Sequence, residues 1–179
     1  MIVALAGRRI DAPDAEEKRF PLEMEEIVYV RVRNFFHNNK IEILVSSAAC
    51  GADLLAQKAA RELEIERHII LPFGRERFRE TSVTDKPGDW GKLFDEICDE
   101  AERKGNLIVL NGFEDDEENA YSAVTSEILK HAKSLEPEKE SVLAVAIWEG
   151  KAKGESDETA RFIEMAKAQN ITIKEILTK

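Results

Sequence analysis

The stretch Ser46-Ser47-Ala48-Ala49-Cys50-Gly51-Ala52-Asp53-Leu54 decides the fold. It ends the apolar run Ile41–Ser46 and opens the segment Ala52–Leu63, where Ala52, Leu55, Ala56, Ala59 and Leu63 share one helical stripe. A β-rich run, a turn of small residues with a glycine, and an alanine-packed helix make the βα unit of a parallel sheet. Small side chains let such a helix start close to the sheet. Its free N–H groups and positive dipole end then face whatever lies beyond the strand.

The same alternation extends outward from this unit. Further strands are expected at Ile2–Ala6, Glu66–Pro72, Asn106–Leu110, Val142–Ile147 and Thr172–Ile176. Most are continuously apolar, as strands covered on both faces are. Helical periods fill Leu22–Asn38, Trp90–Lys104, Glu117–Leu135 and Ser156–Gln169. The expected fold is a single domain over residues 1–179, a Rossmann-like, doubly wound α/β/α structure with a mostly parallel sheet. One connection is long: Phe73 to Asp89 holds Gly74, Pro87, Gly88 and three arginines with little apolar periodicity, and it reads as a functional loop.

Composition narrows the function classes. Over 179 residues, 26 Lys+Arg face 36 Asp+Glu, a formal charge of −10. That field repels duplex DNA and anionic membranes, both held through lysines and arginines. The apolar runs are far shorter than the roughly 20 residues that cross a bilayer. The start of the chain, which runs from Met1 straight into a strand, together with the two widely spaced cysteines Cys50 and Cys98, implies a cytoplasmic location. The zinc-protease, P-loop, serine-hydrolase and complete dinucleotide signatures are missing, and the three histidines lack metal-ligand spacing. No metal and no cofactor are expected.

In open parallel sheets ligands bind beyond the carboxyl ends of the strands, where the strand order reverses. The loops after the first, second, third and fifth strands are therefore the candidate site. After the first, Gly7 allows close backbone approach, and Arg8 and Arg9 offer planar donor forks for a phosphate; the alternative is a surface turn with solvated arginines. After the second, Ser46, Ser47, Ala49, Cys50, Gly51, Ala52 and Asp53 form the small-residue turn. Asp53 faces a ligand or merely complements the helix dipole, and Cys50 reads as a packing residue. After the third come Phe73, Arg79 and Ser82 in a locally positive lid, where Arg79 is the strongest anion candidate and Arg75 and Arg77 read as solvated. After the fifth, Trp148, Glu149 and Gly150 lead to Asp157, Glu158 and Thr159 at a second helix start. Trp148 either stacks on a base or anchors the strand end.

These segments together resemble the SLOG superfamily. Its Rossmann-like members include the Lonely Guy (lysine decarboxylase-like) proteins and the nucleotide-binding domain of DNA-processing protein A. The resemblance rests on Gly7-Arg8-Arg9, on Ser46 to Ala56, on Leu71-Pro72-Phe73 with Arg77-Phe78-Arg79 and Ser82, on Pro87 to Trp90, and on Trp148-Glu149-Gly150 with Asp157-Glu158-Thr159. It covers nearly the whole chain and is most specific at Ser46–Ala56. It implies a bacterial-type signalling module that binds a nucleotide-like small molecule in the crevice, with a signalling or effector protein and a homodimer as further candidate partners. The Lonely Guy enzymes carry a PGGxGTxxE motif. Here Glu149-Gly150 replaces its Gly-Gly, Thr159 stands for its Thr, and Phe162 occupies the position of its glutamate. The alternative is therefore an enzyme of N-glycosidic bond chemistry, a phosphoribohydrolase or deoxyribosyltransferase, with Asp53, Asp157 or Glu158 as the catalytic carboxyl.

Overall fold

In the computed structural model, residues 1–113, 115–135 and 142–179 are described. Six strands form one sheet: β1 (Ile2–Gly7), β2 (Ile43–Ser46), β3 (Glu66–Leu71), β4 (Leu107–Val109), β5 (Val142–Trp148) and β6 (Thr172–Leu177). Their order is β4-β3-β2-β1-β5-β6, and every pair is parallel. β1 sits in the middle, with Ile2 in register with Ile43 on one side and Val142 on the other. The expected three-layer α/β/α fold is the observed one.

The period-2 alternation of the strands divides the core. Val3 and Leu5 of β1, with Leu44, Ile69, Leu71 and Val145, enter the larger cluster. There they meet α1 (Glu25–Asn38), α2 (Ala52–Glu62) and α4 (Gly91–Arg103) through Val28, Phe36, Leu55 and Phe94. Ile2 and Ala4, with Val45, Ile70 and Ala144, point the other way, against α5 (Glu117–Ser134) and α6 (Glu158–Ala168) through Ile128, Leu129 and Phe162.

Two glycines set the close approaches at the head of β1. A Cβ on Gly7 would lie 2.4 Å from the Ala52 Cβ and 2.7 Å from the Ile147 carbonyl oxygen, so only glycine lets β1 pass between β5 and the start of α2. Gly51 has φ of +96°, and a Cβ there would meet the Arg8 oxygen and the Ile10 nitrogen at 2.8 Å. The Ala52 N–H donates to that Arg8 oxygen at 3.0 Å. Gly51 thus serves the packing of α2 onto the β1 loop.

The segment expected as a long loop is partly helical. Arg75–Phe78 forms a one-turn helix, α3, and Arg79–Val83 continues it as a π-helical turn. Its buried apolar side chains, Phe73, Phe78 and Val83, recur every five positions, a spacing that no α-helical stripe shows. The Phe78 ring packs 6.2 Å from Phe73 and 5.9 Å from Phe94. The Ser82 carbonyl accepts from the Cys50 N–H at 3.0 Å, which ties the turn to the start of α2.

Candidate functional site

The chain runs outward from β1 to β4 and then returns across the sheet to place β5 on the other side of β1. The strand order therefore reverses between β1 and β5, and a crevice opens beyond their carboxyl ends. It is a cleft of about 450 Å³. Its floor is Leu5 to Arg9 at the end of β1. One wall is Ser47, Ala49 and Asp53 with Thr81 and Ser82 of the π-turn, and the opposite wall is Tyr121, Val124 and Thr125 of α5 with Asp157, Glu158 and Thr159 at the head of α6.

Arg8 organises the side of this cleft nearest β5. Its guanidinium is 3% exposed. Nε donates to Glu149 Oε2 at 2.6 Å, Nη1 to Asp157 Oδ1 at 2.6 Å, and Nη2 to Asp157 Oδ2 at 2.8 Å and the Lys151 carbonyl at 2.9 Å. Arg19 adds a second clasp on Glu149 and also donates to the Lys151 carbonyl, at 3.2 Å. Burial opposes the charge on Arg8, yet the hydrogen bonds it donates to Asp157 and Glu149, with their negative charges, outweigh it and hold its pKa above the ordinary value. Burial likewise opposes the charge on Asp157. The Arg8 hydrogen bond, with the Lys153 and Ala160 N–H groups, brings its carboxyl down to about 2. Glu149 is lowered for the same reason: Arg8 and Arg19 overcome its burial.

This geometry revises the expectation of a phosphate fork. The Arg8 donors are engaged by the chain's own carboxylates, and Arg9 is held by Asp85 at 2.8 and 2.9 Å and by the Thr81 carbonyl at 3.2 Å. The helix starts are occupied in the same way. Asp157 Oδ1 caps α6 by accepting from the Thr159 and Ala160 N–H groups at 3.0 and 3.1 Å. At α2, the Ala52 N–H goes to Arg8 and the Leu54 N–H to Ala49. Among the described cations lining the cleft, Lys153 makes no hydrogen bond or ion pair through its ammonium, and burial together with Arg8 lowers its pKa.

Other expected residues lie beside the cleft instead of in it. Arg79 pairs with Asp95 at 2.9 and 3.1 Å and lines a separate surface groove with Trp90 and Gly91. Trp148 donates through Nε1 to Glu175 at 2.6 Å and packs on Ile163, which makes it the strand-end anchor. Phe73 sits in the ring cluster under Arg77. Ser46 is buried behind the wall, where it accepts from Gln57 at 2.8 Å. Cys50 is buried with its thiol pushed up to about 11 by burial, so it is a packing residue. Gly150, Gly51 and Ala52 shape the backbone around the cleft without lining it.

Gly7, Ser47, Ala49, Asp53, Ser82, Asp157, Glu158 and Thr159 do come together there, as expected. Glu158 accepts from the Ser122 and Thr125 hydroxyls at 3.0 and 2.9 Å. Asp53 is 8% exposed, and burial pushes its carboxyl up to about 7 against the smaller opposing pull of the Ala49 N–H and Arg9. The sequence reading missed Thr81, Tyr121, Thr125, Lys153 and Ser156. The Ser82 hydroxyl pairs with Tyr121 at 2.8 Å, a contact between residues 39 positions apart that no local sequence signal marks.

Among the described residues no group of three or more histidines, cysteines or carboxylates is placed to hold a metal ion. No helix among them is long and apolar enough to cross a membrane. Comparison with family models, with curated proteins and with solved structures finds no match to this chain.

Proposed function

We propose that the cleft binds a nucleotide-derived small molecule, chiefly through its sugar and base, and that the chain acts as a sensor or regulatory module. The observation that carries this reading is the cleft's position and lining. It lies at the strand-order reversal, with carboxyl and hydroxyl groups on both walls and an apolar strip of Tyr121, Val124 and Ile128. Ribose hydroxyls and base amines are donors suited to those carboxylates, and a base face suits the Tyr121 side. The arginines at the floor are internally paired. A ligand with one phosphate, set against Lys153, therefore fits better than a polyphosphate. The resemblance to the SLOG superfamily agrees with this class.

Native mass spectrometry of the purified protein tests it, with a retained nucleotide-derived mass as the expected result. Thermal shifts with a panel of nucleosides, nucleotides and cyclic nucleotides extend the test, because a ligand at 100 times its Kd adds about 2.7 kcal/mol of stability. A panel with no stabilising member and no retained mass contradicts the reading.

The N-glycosidic alternative draws on one observation, the Asp53 carboxyl with its pKa near 7, placed to protonate a departing base. The expected result with AMP or a deoxynucleoside is no release of free base above buffer. Release abolished by Glu158→Gln or Asp53→Asn would establish the enzyme instead.

A further inference from the structure

Asp53 differs from the other carboxyl groups lining the cleft, Glu117, Asp157 and Glu158, in having no ionic partner among the described residues. Oδ2 accepts one long hydrogen bond, from the Ala49 N–H at 3.3 Å, and Oδ1 is unpartnered among the described residues. The side chain is more than nine-tenths buried, and it lines the cleft. The charges around it are committed elsewhere. Arg9 is bound by Asp85, Glu117 by Arg77, and Asp157 by Arg8. Cys50 beside it keeps its proton at neutral pH. Lys153 and Glu158 belong to the far wall, where Glu158 accepts from Ser122 and Thr125.

The dipole at the head of α2 favours an ionised Asp53, and so does Arg9. Burial outweighs them, and the carboxyl sits near 7. The two forms present different faces to a ligand. A carboxylic acid carries an O–H donor beside a carbonyl acceptor, whereas a carboxylate only accepts. The first pattern is also that of an asparagine amide, which pairs with the N6 amine and N7 of adenine. At the corresponding edge guanine presents two acceptors, N7 and O6, and no donor.

We propose that Asp53 reads the N7/N6 edge of a bound adenine as a carboxylic acid, donating its proton to N7 and accepting from the N6 amine, so that the cleft selects adenine over guanine, whose O6 at that edge is an acceptor. This rests on the nucleotide reading of the cleft and adds to it the base and the pH dependence. No covalent step is involved. The proton is shared between Asp53 and the base and leaves with neither.

The test is calorimetric titration of the full chain with AMP and with GMP at pH 6 and pH 8, for the wild type and Asp53→Asn. With a midpoint of about 7, the protonated share falls from about nine-tenths to about one-tenth between these pH values. Wild-type affinity for AMP is thus expected to fall about tenfold. Asp53→Asn is expected to lack this tenfold fall, and whatever change it does show between the two pH values reports the titration of the AMP phosphate and is subtracted from the wild-type profile. GMP is expected to bind at least about tenfold more weakly than AMP at pH 6. A wild-type profile that Asp53→Asn reproduces, or GMP binding as tightly as AMP at pH 6, overturns the proposal while leaving nucleotide binding intact. Binding of neither nucleotide at either pH overturns the nucleotide reading, and this proposal with it. Titration of the Asp53 side-chain carbon by NMR in the unliganded wild type gives an answer that needs no variant and no ligand. A midpoint near 7 supports the proposal, and one below about 5 contradicts it.

Discussion

Arg8 and Asp157, 149 positions apart in the chain, meet in a two-pronged ion pair at 2.6 and 2.8 Å with both side chains almost wholly buried. Glu149 closes the other side of the guanidinium at 2.6 Å. The loop between β5 and α6 is thereby pinned to the end of β1, and the cleft acquires its far wall. Breaking a buried pair from one side leaves an uncompensated charge, which costs roughly 3–5 kcal/mol. Arg8→Ala is therefore expected to lose about that much stability in urea unfolding, with Arg8→Lys recovering part of it because the ammonium lacks the fork. An Arg8→Ala protein with wild-type stability and lost ligand affinity would make Arg8 a ligand residue after all.

Two of the cleft carboxyls, Asp157 and Asp53, respond to pH in opposite directions and in separate windows. Asp157 has a folded pKa of about 2, below its ordinary 3.8. Its contribution is present above pH 4 or so and is lost as the pH falls toward 2. Asp53 is raised from 3.8 to about 7, so the folded state keeps a proton that the unfolded state gives up. Its contribution is fully present below pH 4 or so and is lost as the pH rises toward 7, at up to about 1.4 kcal/mol per pH unit. Urea unfolding between pH 4 and 7 is expected to show that downward slope in the wild type relative to Asp53→Asn. Asp157→Asn is expected to differ in its pH dependence only below pH 4 or so.

Gly51 and Gly7 are expected to matter for folding, whatever the ligand. Gly51→Ala forces a Cβ to within 2.8 Å of the Arg8 oxygen at a φ of +96°, and Gly7→Ala forces one onto Ala52 at 2.4 Å. Each combines backbone or packing strain worth about 1–3 kcal/mol, read as a fall in Tm. Gly74→Ala, whose Cβ meets nothing within 4 Å, is the control and is expected to be tolerated.

Arg79 separates the cleft from the neighbouring groove. Its pair with Asp95 is exposed, and it stands with Trp90 and Gly91 away from the cleft. Arg79→Ala is expected to leave both Tm and nucleotide affinity close to wild type. A tenfold loss of affinity would extend the ligand site across the π-turn.

The fold was legible because its signals are local. Apolar runs such as Ile2–Ala6 and Val142–Ile147, each followed by a helical period, identify buried parallel strands without knowledge of any partner. The π-turn was not legible, since Phe73, Phe78 and Val83 are spaced five apart and match neither helix nor strand periods. In the site, Gly7, Asp53 and Thr159 could be placed because strand ends and helix starts mark the crevice. The commitment of Arg8 could not. Its carboxylates lie 141 and 149 residues away, and a lone Gly-Arg pair looks the same whether its fork meets a phosphate or the chain itself. Tyr121 and Thr125 escaped notice because α5 reaches the cleft only through the crossover from β4 to β5.

The central claim, that a nucleotide occupies the crevice where the strand order reverses, is tested most directly by following the backbone amides of the ¹⁵N-labelled protein while AMP is added at pH 6. The expected result is saturable shifts gathered at Gly7–Arg9, Ser47–Asp53, Thr81–Ser82 and Lys153–Thr159, the segments that line the cleft. Shifts confined to the groove around Trp90, or an unperturbed spectrum at millimolar AMP and likewise with the other nucleosides and nucleotides, would contradict it.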